Sequence, residues 1–472
     1  YYIDYVMNRS SIRQWSLTKL ADYGFDSETG IWAECPGYSS VVINDYANFV
    51  NQFDTNLQYD LVKAVPVLSK AVATTPQYLF PNRMICGFGD THPGYLSTNF
   101  FIRMIQNAQA NGKKEQENYF TALLKCLNPD LGNDKTEKKN VRVSVNSFFE
   151  DKPLTLNPKV QPGKIEDYVS SLFYAPNVSW LVQRNGMHPR NSLMISLNGS
   201  EGNHMHANGI SMELYGKGYV LGPDAGIGLF LYSGLDYAEY YSQFPSHNTV
   251  CVDGISSYPV MKSNHSFDLL SCFPASAEPG KAFTSVTYSN LYFREPESRA
   301  DQTRMMSIVT TGAETGYYVD VFRSRKEKGG DKMHDYFYHN LGQTLTLTTA
   351  DGSDLNLQPT EELAFAGAHL YAYSYLYDKK VAATAKDVKA TFTIDMKDKD
   401  GDDIYMNLWM KGEPDREIFT ALAPMTEGLS RTPGMPYNIK EQPTLTFVAR
   451  QHGEAWNRPF VSVYEPSTKK EP

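Results

Sequence analysis

The sequence has little that would fix its shape through covalent cross-links. Five cysteines (35, 86, 126, 251 and 272) are scattered over 472 residues. Their odd number implies no disulfide framework, and no CxxC pair marks a thiolate metal site or a redox centre. No apolar run reaches about 18 residues, so no membrane-spanning helix is expected. Basic residues form no block: 44 Lys and Arg against 53 Asp and Glu leave a formal charge of −9. That balance argues against nucleic acid as a partner, and an anionic partner would have to meet a locally positive cleft. The chain opens at Tyr1-Tyr2 without a signal-peptide pattern, as a mature or trimmed chain does. Internal repeats and low-complexity tracts are missing too, and the residues alone do not give the compartment.

What is present is enough for a large core. Hydrophobic residues make up 41% of the chain, and its length suits two domains. Aromatics reach 13%, with 32 tyrosines, which suits stacking against sugars and equally suits a β-rich core. Residues 1–127 read mainly as helices, with apolar positions at helical spacing over 12–24, 41–54 and 95–112. Gly24 and Gly112 stand where C-caps are expected. The loop 25–40 ends with Glu34 and Tyr38, and the loop 85–95 carries Asp90 and His92. Residues 128–139 are polar and charged, 141–149 read as a strand, and 165–173 as a short helix before the Pro-Asn turn at 176–177. From there the pattern alternates apolar and polar residues in short runs separated by NG, DG and KGG turns, as half-buried antiparallel strands do. The expectation is a helical domain over 1–175 followed by a large antiparallel β-sheet domain over 176–472.

Residues 203–254 carry the densest chemistry. His204, His206 and Asn208 fall at alternate positions, so an extended strand would set two imidazoles and an amide in a row on one face. Gly216 and Gly218 predict a turn, a return strand over 219–222 leads to Asp224, and His247 opens a further strand in HNTVCVDG. Two histidines and an aspartate on neighbouring strands are ligand types that Zn²⁺ takes. A metal-free, hydrogen-bonded core of the same residues fits the pattern as well.

The order H-x-H, D-x-G, HNTV-x-V-D-G resembles the heparinase II/III-like polysaccharide lyases. His204, His206, Asp224, Gly226, Tyr232, His247, Asn248, Thr249, Val250, Asp253 and Gly254 carry the match, with Glu34 and Tyr38 in the helical half resembling the family's acidic-then-tyrosine loop. The resemblance implies an incomplete α/α toroid, lacking its first helices here, followed by antiparallel β-sheets with the active site in the cleft between them. It also implies a periplasmic, secreted or cell-surface bacterial enzyme. Two departures stand out: Asn208 replaces an expected Asp, and no upstream Asn or His equivalent is found.

The implied reaction is β-elimination on a uronic-acid-containing polysaccharide of glycosaminoglycan or alginate type. The substrate carboxylate is neutralised, a base takes the C5 proton, and an acid protonates the leaving oxygen. Tyr38 is the candidate acid, and in one reading also the base; His204 is the second catalytic candidate because imidazole titrates near neutrality. His206, Asp224 and His247 are the implied metal set, for a structural Zn²⁺, although His204 and His206 ligating together stays open. Tyr232, Arg184 and Glu34 are candidate substrate contacts. A packing or salt-bridge role for each competes, and His334 and His339 read as structural. The expected partner is the anionic polysaccharide; a homodimer is compatible. Two other functions stay open: a non-catalytic glycan-binding protein on the same scaffold, and a glycoside hydrolase using Glu34 with Asp90 as its carboxylate pair.

Overall fold

Apolar spacing builds the helical half. The computed structural model describes residues 1–129, 154–228, 235–256, 262–275, 278–364, 372–396, 401–426, 428, 439 and 442–470. Its α-helices are Tyr2–Asn8 (α1), Leu17–Gly24 (α2), Pro36–Gln52 (α3), Leu61–Ala64 (α4), Val67–Thr74 (α5), Asn99–Ala110 (α6) and Lys114–Leu127 (α7). In α3 the buried residues Ile43, Tyr46, Ala47 and Val50 recur at the spacing of one helix face. They pack with Phe100, Phe101, Met104 and Ile105 of α6 and with Phe120, Leu123 and Leu124 of α7 in one core. Gly112, at φ +67°, follows the C-cap of α6 in the left-handed conformation expected of it. Gly24 instead is the last residue of α2, and its hydrogen makes room for the Trp32 ring, which a Cβ would overlap at 2.0 Å.

The expected short helix over 165–173 shrinks to one 3₁₀ turn, Ile165–Asp167. The chain then enters the first strand, because pairing with the next one satisfies its backbone. The strand expected over 141–149 lies outside the described residues. A five-stranded antiparallel sheet has the order β1-β2-β3-β5-β6, where β1 is Leu172–Ala175, β2 Trp180–Arg184, β3 Met194–Asn198, β5 Ser211–Gly216 and β6 Tyr219–Gly222. Ser200–Asn203 (β4) leaves this sheet to pair with Lys262–His265 (β8).

Two larger sheets complete the β half. The six-stranded sheet orders β15 (Gln358–Pro359), β16 (Tyr377–Ala383), β19 (Arg416–Ala423), β20 (Thr444–His452), β13 (Met333–Asn340) and β7 (Val250–Val252). The eight-stranded sheet orders β14 (Thr344–Thr349), β17 (Val388–Ile394), β18 (Ile404–Met410), β21 (Phe460–Ser467), β12 (Gly316–Lys326), β11 (Ala300–Thr310), β10 (Val286–Glu295) and β9 (Asp268–Phe273). Its strands alternate buried and part-exposed residues, so one face is core and the other meets solvent. In β13, Tyr338 packs on Tyr464 and Phe392 of the eight-stranded sheet, while Phe337 and His339 turn to the opposite side. The fold is therefore an incomplete α/α toroid followed by a large antiparallel β-sheet domain.

The two halves share a core. Tyr78 stacks on Trp180 with ring centroids 4.9 Å apart, and Phe80 on Tyr215 at 5.7 Å. Deeper in the β half, the buried Arg304 grips Asp320 through Nε (3.1 Å) and Nη2 (2.6 Å), and Nη1 donates to the carbonyls of Ile210 and Asn248, both at 2.6 Å. One guanidinium thus joins β11 and β12 to the segments that lead into and out of the histidine region. Replacing Arg304 by Met strands the buried Asp320 charge, and the expected cost is about 3–5 kcal/mol in urea denaturation. Adding Asp320→Asn should recover part of it; a single-variant cost below about 1 kcal/mol would show that Arg304 is not this anchor.

Candidate active site and metal centre

The site forms where the loop after β4 passes between two segments of the helical half. Asn203 N–H donates to the Ala33 carbonyl (3.2 Å), and the His204 carbonyl accepts from Asp90 N–H (2.9 Å). The second contact needs a glycine beside it. A Cβ at Gly89 would meet the His204 carbonyl oxygen at 2.4 Å, and Gly89 sits at φ +63°. His204 itself lies in the left-handed region at φ +57°, an uncommon place for a non-glycine residue.

The expected row of side chains on one strand therefore does not form. β4 ends at Asn203, and the irregular backbone beyond it sends the three side chains apart. His204 goes to the helical half, His206 to the interior, and Asn208 turns back onto Ser200. The reason is competition for the backbone: residues 203–204 bond across to Ala33 and Asp90 instead of extending a ladder.

Tyr38 sits not in a loop but in the first turn of α3, which begins at Pro36. Proline at that position costs no helical hydrogen bond, so the CPGYSS segment already encodes a helix start. Gly37 N–H donates to Thr91 Oγ1 at 3.1 Å, and Ser39 Oγ to the Glu34 carbonyl at 2.9 Å, fixing the turn. The Tyr38 ring lies parallel to the His204 imidazole, 3.6 Å between centroids and 5° between planes. Glu34 Oε1 approaches His204 Nδ1 to 3.6 Å, and both side chains keep some exposure. A phenol, an imidazole and a carboxylate thus converge at the seam, the imidazole and the carboxylate each with part of its surface exposed.

Behind them lies a buried cluster. His206, Asp224 and His247 are all buried, and one ligand-type atom from each lies within 4.8 Å of the others. His206 Nε2 meets Asp90 Oδ1 at 2.9 Å, and the same oxygen accepts from Tyr237 Oη at 2.6 Å. His247 Nδ1 meets Asp224 Oδ2 at 3.0 Å. Burial alone would raise the Asp224 carboxyl; the imidazoles of His247 and then His206 outweigh it and hold the group below its ordinary value. The second nitrogens, His206 Nδ1 and His247 Nε2, are buried with no protein partner. Two orphaned imidazole nitrogens beside a carboxylate are a donor set that suits a borderline cation such as Zn²⁺.

The other candidates divide. Arg184 is fully buried, its guanidinium bound to Gln77 Oε1 (2.7 Å), the Gln77 carbonyl and the Ser170 carbonyl. It fastens the two halves and presents no surface to a substrate, which corrects the expectation from sequence. Tyr232 lies outside the described residues. His334 and His339 are buried and bonded within the β half, to Asp331 and to Thr446 with the Pro245 carbonyl. In the VDG segment, Asp253 binds Lys326 and the N–H groups of Lys332 and Met333, a turn device.

Comparison with known proteins bears on the fold that carries this site. A family model described as heparinase II/III-like, C-terminal, matches residues 172–326, and one described as endo-acting ulvan lyase 2nd domain matches 28–162. Residues 172–326 are thus similar to the C-terminal part of heparinase II/III-like proteins. It is 27% identical over 464 residues to an endo-acting ulvan lyase of Formosa agariphila, covering 93% of this chain and 54% of that protein. In structure it resembles a heparinase III (TM-score 0.56, 13% identity, 96% of this chain and 55% of that one). A heparan sulfate lyase from Pedobacter heparinus is similar as well (TM-score 0.52, 12% identity, 97% and 55%). At such identities the likeness shows the fold. The chain spans about half the length of the relatives it matches.

Several site roles escaped the sequence reading. Asp90 reads in sequence as a loop residue and a possible hydrolase carboxylate, and its partnership with His206 is not legible there. Asn248, which the motif already names, has a role that only the structure shows: it donates to the carbonyls of Met212 and Pro223 and accepts from His339 N–H, so it registers the segments bearing Asp224 and His247. Glu213, the one acid in β5, is buried, accepts from Gly87 N–H at 2.9 Å, and lines a chamber of about 30 Å³ shared with Asp224. Burial, then the Asp224 charge, pushes its carboxyl from 4.5 up to about 8. The folded state holds this proton more tightly than the unfolded chain. Its stabilising effect is therefore complete below about pH 4.5 and is lost as pH rises through about 8. In chelator-treated protein, Glu213→Gln should flatten the stability–pH curve across that window by up to about 1.4 kcal/mol per unit. Parallel curves for both proteins would count against a protonated Glu213.

Proposed function

We propose that this chain cleaves a uronic-acid-containing polysaccharide by β-elimination, in a periplasmic, secreted or cell-surface setting. The observation that carries the reading is the Tyr38–His204 stack at the seam, with Glu34 beside the imidazole. His204 takes the C5 proton of the uronate. The electrons of that C–H bond form the C4–C5 double bond as the C4–oxygen bond breaks, and Tyr38 gives its phenolic proton to the leaving oxygen. Glu34 favours the imidazolium that results. Ulvan is the first polymer to test, because the relative from Formosa agariphila bears that activity in its name; glycosaminoglycans and alginate belong to the same chemical class. The hydrolase alternative fares worse: Asp90, the carboxylate that Glu34 would need as partner, is buried against His206 and Tyr237.

His206, Asp224 and His247 would hold Zn²⁺, which when bound supplies a fixed charge tying three segments together beneath the reacting groups. Asp90 orients the His206 ring from behind, leaving Nδ1 for the ion.

Incubation with ulvan, heparan sulfate, chondroitin sulfate and alginate should raise ultraviolet absorbance on one polymer, from the unsaturated uronate product. Tyr38→Phe or His204→Ala should lower that rate about 10²- to 10⁴-fold while leaving the melting temperature near wild type. Turnover that survives both changes would remove these residues from the chemistry. Separately, Asp90→Asn should weaken zinc binding about 10- to 100-fold in competition with a chromogenic chelator. Wild-type affinity in that variant would deny Asp90 its orienting role.

A further inference from the structure

The solvent face of the eight-stranded sheet carries a groove of about 570 Å³ over β14, β17, β18 and β21. Strand pairing lays its side chains out in two rows. One row runs Thr348, Lys389, Trp409, Val463; the next runs Thr346, Thr391, Asn407, Glu465. A row crossing four strands is roughly 14 Å long, and adjacent rows lie roughly 7 Å apart. The opposite faces of the same strands, Ala390, Phe392, Leu408 and Tyr464, are core, so this face owes nothing to the packing of the domain interior.

The lining has a composition that points to a sugar polymer. Trp409 is only partly covered, directly across from the exposed Lys389, giving an apolar ring face beside an ammonium group. Thr391 Oγ1 donates to Asn407 Oδ1 at 3.0 Å, while Asn407 Nδ2 is buried beneath the groove surface without a protein partner. Lys389 and Lys470 are both exposed and lie on the lining, against the single carboxylate of Glu465. On a chain of net charge −9, a groove with two cations and one acid is a local reversal of sign. Ring face, threonine hydroxyls and ammonium groups together complement a sugar with a hydroxyl-bearing edge, an apolar face and a negative group.

We propose that this groove is a second, non-catalytic binding site for an anionic polysaccharide, with Trp409 as the stacking platform and Lys389 as the charge partner. It rests on the proposed function only for the polymer's chemical class. Its place on the outer sheet face, away from the Tyr38–His204 seam, lets one chain be held while another part of it is cut.

The test uses the whole chain carrying Tyr38→Phe, run in native gels cast with ulvan, with alginate or with neutral dextran. Retardation is expected in at least one of the two anionic gels and not in dextran. Trp409→Ala and Lys389→Glu should each weaken apparent affinity about tenfold or more. In the Tyr38 wild-type background they should raise KM on the long polymer while leaving kcat on short oligosaccharides unchanged. Lys389→Glu keeps the test decisive if Trp409→Ala does not fold. Wild-type retardation in both variants, equal retardation by dextran, or no retardation in any gel overturns the groove as a polysaccharide site. Retardation that depends on Trp409 in a chain that yields no unsaturated product would sink the lyase reading alone. Product formation with retardation indifferent to both changes would sink the groove alone.

Discussion

Everything at the candidate site depends on two backbone hydrogen bonds across the seam between the halves. Asn203 N–H bonds to the carbonyl of Ala33, and Asp90 N–H to the carbonyl of His204. They hold one short stretch of chain between two segments of the helical half, and that grip stops β4 at Asn203. Once the strand has stopped, His204 and His206 no longer share a face. One imidazole is delivered to Tyr38 at the accessible edge, the other to Asp90 in the interior. The contact tolerates no side chain at Gly89, because the two backbones meet there within the radius of a methyl group. Neither half contains the site by itself.

Behind the seam, the arrangement is held by polar groups that have nowhere else to bond. Asn248 makes three hydrogen bonds to three different segments, Arg304 neutralises Asp320 and caps two carbonyls, and Arg184 is tied to Gln77 and Ser170. Each is buried, so losing any partner would leave a desolvated group uncompensated. That asymmetry gives the network its rigidity: the fold keeps each group because no alternative arrangement satisfies it. A phenol and an imidazole stacked in parallel, with a carboxylate beside them, gain fixed orientation from such a frame.

The HNTV-x-V-D-G segment shows how one motif mixes different jobs. His247 contributes a nitrogen to the buried cluster, Asn248 registers the strands, Val250–Val252 pairs with β13, and Asp253 with Gly254 makes the turn that follows. A motif read as chemical in sequence is thus mostly architectural, and its architecture is what places the His247 imidazole in the buried cluster.

The sequence by itself determined the local choices. Helical spacing in the first 127 residues, alternation in the strands of the eight-stranded sheet, and the turn at Gly218 appear where the residues put them, because each depends on neighbours within a few positions. The residue types at the site, from Tyr38 to His247, were legible for the same reason: their chemistry is intrinsic. What only the tertiary structure decided was direction and company. Alternation at 204–208 promised a common face, and the seam removed it. Arg184 looked free to meet a substrate, and burial spent it on Gln77. Asp90 and Glu213 acquired their roles from partners more than 100 residues away in sequence, such as His206 for Asp90 and Gly87 for Glu213. Periodicity carries no information about such partners, because long-range pairing is set by which backbones and buried polar groups must satisfy one another once the halves dock.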